Sequence, residues 1–301
     1  MQRRFMTADV FTDRPFGGNP LAIVLDAEGL STAQMQSVAR EFNYSETTFV
    51  LPPRAEAHTA QVRIFTATKE VPFAGHPNIG TAIMLAQVLE QSGHAPLERL
   101  VFEEAAGLVP IRLQREHGRI ASAELTAPEP LSVGASASRE DVAACLSIAP
   151  AEIRESVHPP QVASIGLPFL VVELATREAL ARCKPVTAEH ARVLPPLGTD
   201  AIFAYVRSGE AGDLQARMFS PLDACTEDPA TGSASGATMA LLATLHAGRD
   251  GEQSWRIGQG VDMGRPSLIL GRTEKRDGVV IAVHVAGCAI RIMEGTLGPL
   301  A

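Results

Sequence analysis

One half of this chain repeats the plan of the other. The stretch Arg63-Ile64-Phe65-Thr66, continued by Phe73-Ala74-Gly75-His76-Pro77-Asn78-Ile79-Gly80-Thr81-Ala82, has a second copy about half the chain length further on. That copy is Arg217-Met218-Phe219-Ser220, continued by Glu227-Asp228-Pro229-Ala230-Thr231-Gly232-Ser233-Ala234. Each reads as a strand, a turn bearing polar groups, then a long apolar helix. From Pro77 onward Ile79, Ala82, Ile83, Leu85, Ala86, Val88 and Leu89 make the pattern apolar nearly all round, and residues 230–246 contain no charged side chain. Helices of this kind are enclosed rather than laid on a surface. Two such halves, packed face to face, would aim two helix N-termini and two sets of acid/base side chains at one cleft, an arrangement suited to proton transfer on a small anion.

Short β-rich runs surround both helices, at 5–11, 21–25, 47–51, 61–65, 100–102, 107–113 and 120–125, then within 161–174 and at 201–206, 215–219, 268–270, 279–285 and 289–293. Ser31-Thr32-Ala33-Gln34 is a capping-box pattern and predicts a helix over 32–42 that Asn43 stops. Many short strands with one buried helix in each half predict an α+β architecture: two pseudo-symmetric halves, each a curved, mostly antiparallel sheet or barrel around a central buried helix. The Pro-rich stretch Ala127-Pro128-Glu129-Pro130 marks the linker. It sets one half at 1–127, which the last strand 289–301 is able to join, and the other at 128–288.

A formal charge of −8 and a pI near 5.5 argue against nucleic acid as the main partner, because phosphate neutralisation needs a basic face. No run of about 18 or more apolar residues is present, and the start of the chain enters a strand pattern with no signal-like apolar core, so a cytoplasmic protein away from the membrane is expected. Cys145, Cys183, Cys225 and Cys288 are widely spaced, which points to neither a zinc site nor a disulfide framework. His284 and Cys288 lie in a Val/Ile-rich run and read as strand residues, not as metal ligands. Gly258-Gln259-Gly260-Val261-Asp262-Met263-Gly264 is similar in outline to a dinucleotide fingerprint, but Arg265-Pro266 and a strand follow it where a phosphate-binding helix would be needed. It reads as a Gly-rich loop between strands, and no cofactor and no metal are expected.

The turns carry the candidate chemistry. His76 sits at the opening of the first apolar helix, where the positive helix end disfavours its protonation and suits a group that relays a proton; a turn-capping histidine is the plain alternative. Gly75 lets a ligand approach the backbone. In the second copy Asp228 is placed as an N-cap, and Thr231, Gly232 and Ser233 offer N–H groups to a carboxylate. Glu46, between a helix and an apolar strand, would be a general base with a desolvated carboxyl, although read alone it is as well a solvated strand end.

Together, Ser45-Glu46-Thr47-Thr48-Phe49, Pro72-Phe73-Ala74-Gly75-His76-Pro77, Glu227-Asp228-Pro229-Ala230-Thr231-Gly232-Ser233-Ala234 and Gln259-Gly260-Val261-Asp262-Met263-Gly264-Arg265-Pro266-Ser267 resemble the hallmarks of the PhzF family of phenazine biosynthesis-like isomerases and epimerases, and Gly17-Gly18-Asn19-Pro20 fits as well. The resemblance runs across nearly the whole chain. It implies a diaminopimelate-epimerase-like fold, a homodimer and a cofactor-independent proton shift on a small anionic, carboxylate-bearing metabolite. By the same resemblance Glu46 is the shuttling acid/base, His76 and Asp228 assist it, Ser45 orients Glu46, and Asn19, Gly75, Thr231, Gly232 and Ser233 join Ser45 in holding substrate. Related racemases use a cysteine pair, and neither motif turn here contains one. A metabolite-binding protein without turnover, or a dehydratase or lyase using the same proton abstraction, are the alternatives; Tyr44, Asn78, Asp223 and Arg265 are candidates for the walls of the site.

Overall fold

The computed structural model of the protein describes residues 2–209, 213–223 and 226–299. The chain divides into two units, Met1–Thr126 with Ala286–Ala301, and Ala127–Val285. The first contains β1 (Arg3–Val10), β2 (Asn19–Val24), α1 (Thr32–Phe42), β3 (Glu46–Leu51), β4 (Ala60–Phe65), β5 (Glu70–Val71), α2 (Gly75–Gln91), β6 (Arg99–Glu104), β7 (Gly107–Glu116) and β8 (Arg119–Thr126). β1 pairs antiparallel with β2, β2 parallel with β3, and β3 antiparallel with β4. β4 pairs antiparallel with β5 and parallel with β6, which continues antiparallel through β7 to β8. This sheet curves around α2, which packs on β1, β2, β3, β7 and β8 and buries every residue from His76 to Ala86. An all-round apolar sequence leaves such a helix no solvent face.

The second unit contains β9 (Ser132–Ser136), α3 (Arg139–Leu146), β10 (Gln161–Ser164), β11 (Pro168–Glu173), α4 (Arg177–Arg182), α5 (Thr187–Val193), β12 (Ile202–Arg207), β13 (Asp213–Phe219), β14 (Glu227–Asp228), α6 (Gly232–Leu245), β15 (Gly251–Gln259), β16 (Ser267–Arg276) and β17 (Val279–Gly287). The pairing pattern of the first unit returns: β10 antiparallel to β11, β11 parallel to β12, β12 antiparallel to β13, β13 with β14 and parallel to β15, β15 antiparallel to β16. α6 packs on β10, β11, β15 and β16 as α2 does on its own sheet. The final strand β18 (Ala289–Leu297) pairs antiparallel with β1 in the first unit, as β9 pairs with β10 in the second.

The duplication extends to side chains. Arg63 lies 5.1 Å over the Phe65 ring and forks onto Glu70 with two bonds of 2.7 Å, while Arg217 lies 4.7 Å over Phe219 and forks onto Glu227 at 2.7 and 2.8 Å. Phe65 faces Glu70 and Phe219 faces Glu227 in the ladders, so the paired residues of the two hairpins correspond although their loops differ in length. Val71 then ends β5 where Asp228 ends β14, and the helices begin at Gly75 and Gly232, each four residues on. Asp228 therefore occupies the place of Val71, and His76 that of Ser233. The acid and the imidazole of the two turns are not equivalent, a distinction that the sequence repeat alone does not make.

Arg217 is the more buried of the two arginines, and its Nη1 also donates to the carbonyls of Leu180, Ala181 and Cys183. Arg217→Lys is expected to lower unfolding free energy by about 3 kcal/mol, because a compact ammonium cannot replace the fork and the carbonyl bonds together. The same change at half-exposed Arg63 is expected to cost under about 1 kcal/mol. Urea titration of the two variants measures the difference.

Candidate active site

Glu46 is positioned by the end of α1 and the start of β3. The Ser31/Gln34 capping box starts α1, and Asn43, left-handed at φ 51°, stops it and turns the chain so that Glu46 opens β3. The parallel register sets Glu46 opposite Leu21, near the start of β2. Two residues before Leu21 stands Asn19, fully buried. Gly18 ahead of it has φ 61°, and a Cβ there would lie 2.2 Å from the Val10 carbonyl oxygen, so only glycine admits this approach.

These elements bring four side chains of the first unit together. The Ser45 hydroxyl donates to Asn19 Oδ1 at 3.1 Å, which turns Asn19 Nδ2 toward His76 Nδ1 at 3.5 Å. His76 Nε2 lies 3.4 Å from Glu46 Oε2. With Nδ1 as the acceptor, Nε2 carries the ring proton and faces the Glu46 carboxyl. Burial holds the imidazole neutral by pushing its pKa down to about 3. Desolvation, and not the positive helix end expected from the sequence, is the cause. Ser45 acts on Asn19 by its hydrogen bond.

Neither turn residue is a helix cap. α2 has Ala74 at its N-cap and α6 has Thr231, and neither helix has a side-chain cap hydrogen bond. This corrects the expectation that Asp228 sits at the N-cap: it lies before the helix, largely buried, and its Oδ2 accepts from the Thr231 hydroxyl at 2.5 Å. With no capping side chain, the first-turn N–H groups at Gly75 in one unit and at Gly232 and Ser233 in the other keep the polarity that favours an anion. Asp228 and Thr231 are together in the second unit; Glu46, His76, Asn19 and Ser45 are together in the first. Asn78, a candidate wall residue, is fully buried within α2.

Glu104 is a residue that sequence reasoning missed. It ends β6, and burial pushes its carboxyl up to about 8; Asn78 lies close enough to oppose that pull in part, but neither carboxyl oxygen has a well-formed hydrogen bond. Its neighbour Glu103 is instead held low, by the His58 imidazole and the Arg54 and Ala55 N–H groups. Two consecutive glutamates at the end of an apolar strand were the only signal, and strand alternation sends one of them inward.

His76 and Glu104 give stability opposite pH slopes. The His76 contribution is complete above pH 6.5 and is lost as pH falls toward about 3, because the unfolded chain takes up a proton that the buried ring refuses. The Glu104 contribution is complete below pH 4.5 and is lost as pH rises toward about 8. Glu104→Gln is therefore expected to leave a stability that falls below pH 6.5 by up to about 1.4 kcal/mol per pH unit, while His76→Gln leaves one that falls between 4.5 and 8. Urea midpoints measured from pH 4 to 8 test both signs.

Cys145 and Cys183 lie in the core of the second unit, and burial pushes their thiols up to about 11 and about 12. Neither belongs to a motif turn; Cys225 lies outside the described residues. Among the described residues no group of His, Cys, Asp and Glu is arranged to hold a metal ion, and no helix is long and apolar enough to cross a membrane. His284 Nε2 pairs with Glu274 Oε1 at 3.0 Å across the strands.

The α+β fold built on this duplication is shared with a hydroxyproline epimerase from Agrobacterium vitis, at a TM-score of 0.65 and 14% identity over 98% of this chain and 92% of that one. The fold thus places the chain in one structural class with that protein. Within it, residues 8–295 match the PhzC-PhzF model of phenazine biosynthesis-like proteins, and the chain belongs to that family. A PhzF-family phenazine biosynthesis protein of Bacillus anthracis has a TM-score of 0.88 and 25% identity over 99% of this chain and all of that one. A trans-2,3-dihydro-3-hydroxyanthranilate isomerase of Pseudomonas chlororaphis is 36% identical over 97% of this chain and 98% of its own length. An uncharacterised isomerase of Mesorhizobium japonicum is 37% identical over 98% of each.

Proposed function

We propose that the protein is a cofactor-independent isomerase or epimerase that moves a proton on a small carboxylate-bearing metabolite by general acid/base catalysis. The observation that supports this most is the Glu46 carboxyl at 3.4 Å from the Nε2 of a buried, neutral His76. A carboxylate takes a proton from carbon and returns it elsewhere; the imidazole N–H steadies the charged form of that carboxylate without itself competing for the proton. Asn19 fixes the ring tautomer and Ser45 fixes Asn19. Asp228 assists, and the uncapped helix starts at Gly75, Thr231, Gly232 and Ser233 hold the substrate carboxylate. The protein acts in this reading as a cytoplasmic homodimer, which light scattering tests.

The curated relative in Pseudomonas chlororaphis makes trans-2,3-dihydro-3-hydroxyanthranilate the first compound to try. Incubated with the enzyme in D₂O, it is expected to give a product of unchanged heavy-atom composition carrying deuterium at the carbon that gains the proton. Stoichiometric binding without conversion, or a product lighter by one water, would refute the isomerase assignment.

A further inference from the structure

β15 ends on Gln259, whose residue is 1% exposed and whose side-chain bonds all fall on one turn. Its Oε1 accepts from the Thr231 N–H at 3.1 Å, and its Nε2 donates to the Asp228 carbonyl at 2.8 Å and to the Thr231 hydroxyl at 3.0 Å. The amide thus bridges both ends of the Asp228-Pro229-Ala230-Thr231 turn, and both of its N–H bonds are used. A second tie comes from Ser267, whose hydroxyl donates to the Pro229 carbonyl at 2.8 Å.

The direction of these bonds matters. Thr231 Oγ1 receives a hydrogen from Gln259, so its own single hydrogen is the one aimed at Asp228 Oδ2, 2.5 Å away. With no N–H beside it, the hydroxyl is free to rotate and donate elsewhere, and the carboxylate loses a donor that both orients it and favours its charged form.

We propose that Gln259 is a positioning residue: through the Thr231 hydroxyl it sets the direction of the Asp228 carboxylate, and through the Thr231 amide it sets the start of α6. Its importance for turnover rests on the assignment of Asp228 as an assisting group; its effect on Asp228 does not.

Two readouts separate these. The first is the titration of the Asp228 carboxyl followed by ¹³C NMR in the full chain, with Asp228→Asn identifying the signal. Gln259→Met is expected to raise the midpoint of that titration, Thr231→Val to raise it as well, and the double variant to raise it no further than the larger single effect, since both act along one chain of bonds. The second readout is kinetic, with trans-2,3-dihydro-3-hydroxyanthranilate as the probe: kcat falls about tenfold or more in Gln259→Met at little change in KM. If Gln259→Met does not fold, Gln259→Ala carries the same test, because it removes the N–H given to the hydroxyl without adding a charge beside Asp228. An Asp228 titration unmoved by Gln259 substitution, or moved additively in the double variant, overturns the proposal. A moved titration combined with wild-type kcat in Asp228→Asn upholds the positioning and removes Asp228 from the catalytic set.

Discussion

Glu46→Gln is expected to lower kcat about 10³-fold, within the range that general acid/base groups contribute, and to abolish deuterium uptake from D₂O. The amide fills the same volume and its oxygen still faces the His76 N–H, so the variant isolates loss of proton affinity from loss of shape. The fold should be kept, because the amide replaces the carboxyl without a change of volume. Glu46→Asp retains the carboxylate but draws it back by one methylene from a contact already at 3.4 Å, and a loss of about 10²-fold is expected. A Glu46→Gln protein that turns over at the wild-type rate and still exchanges solvent deuterium would remove Glu46 from the mechanism.

A large structural effect is expected at Gly260. Its φ is +71°, and a Cβ would stand 2.4 Å from the Arg265 carbonyl oxygen and 2.6 Å from that of Pro229. Both obstacles are backbone atoms, and neither can rotate away. Gly260→Ala combines the left-handed penalty of about 1–2 kcal/mol with overpacking of similar size, so a loss of about 3 kcal/mol is expected. The atom displaced belongs to the turn between Asp228 and Thr231, so kcat should fall with stability. Gly264 is the control, with φ +74° but open space where a Cβ would go. Gly264→Ala is expected to lose only about 1 kcal/mol and to keep wild-type kcat. Equal urea midpoints for the two variants would contradict the close packing at Pro229.

Much of the fold could be read from local pattern. The 31–34 capping box locates α1 at Thr32–Phe42, and the absence of charge over 230–246 marks α6 as enclosed. β15 escapes such reading, since Gly251, Glu252, Gln253, Ser254 and Gly258 dilute its alternation, although Trp255, Ile257 and Gln259 do point inward. α4 and α5 are six and seven residues long, too short for a helical period to show. Of the site, the motif resemblance picks out Glu46, His76 and Asp228, but not what each one touches.

The sequence by itself determined the two apolar helices, the turns ahead of them, the glycine at position 18 and which acids and bases the chain possesses. These follow from period, from caps and from backbone sterics, all of which act between near neighbours. Tertiary structure decided that Asn19, Ser45, Glu46 and His76, drawn from three separated segments, meet within 3.5 Å, and that Gln259 closes on the Asp228 turn. It also decided that His76 stays neutral and that Glu104 holds its proton to about pH 8. Hydrogen bonds between distant segments depend on strand register, and desolvation depends on what packs over a group, so neither is written in the residues on either side of it.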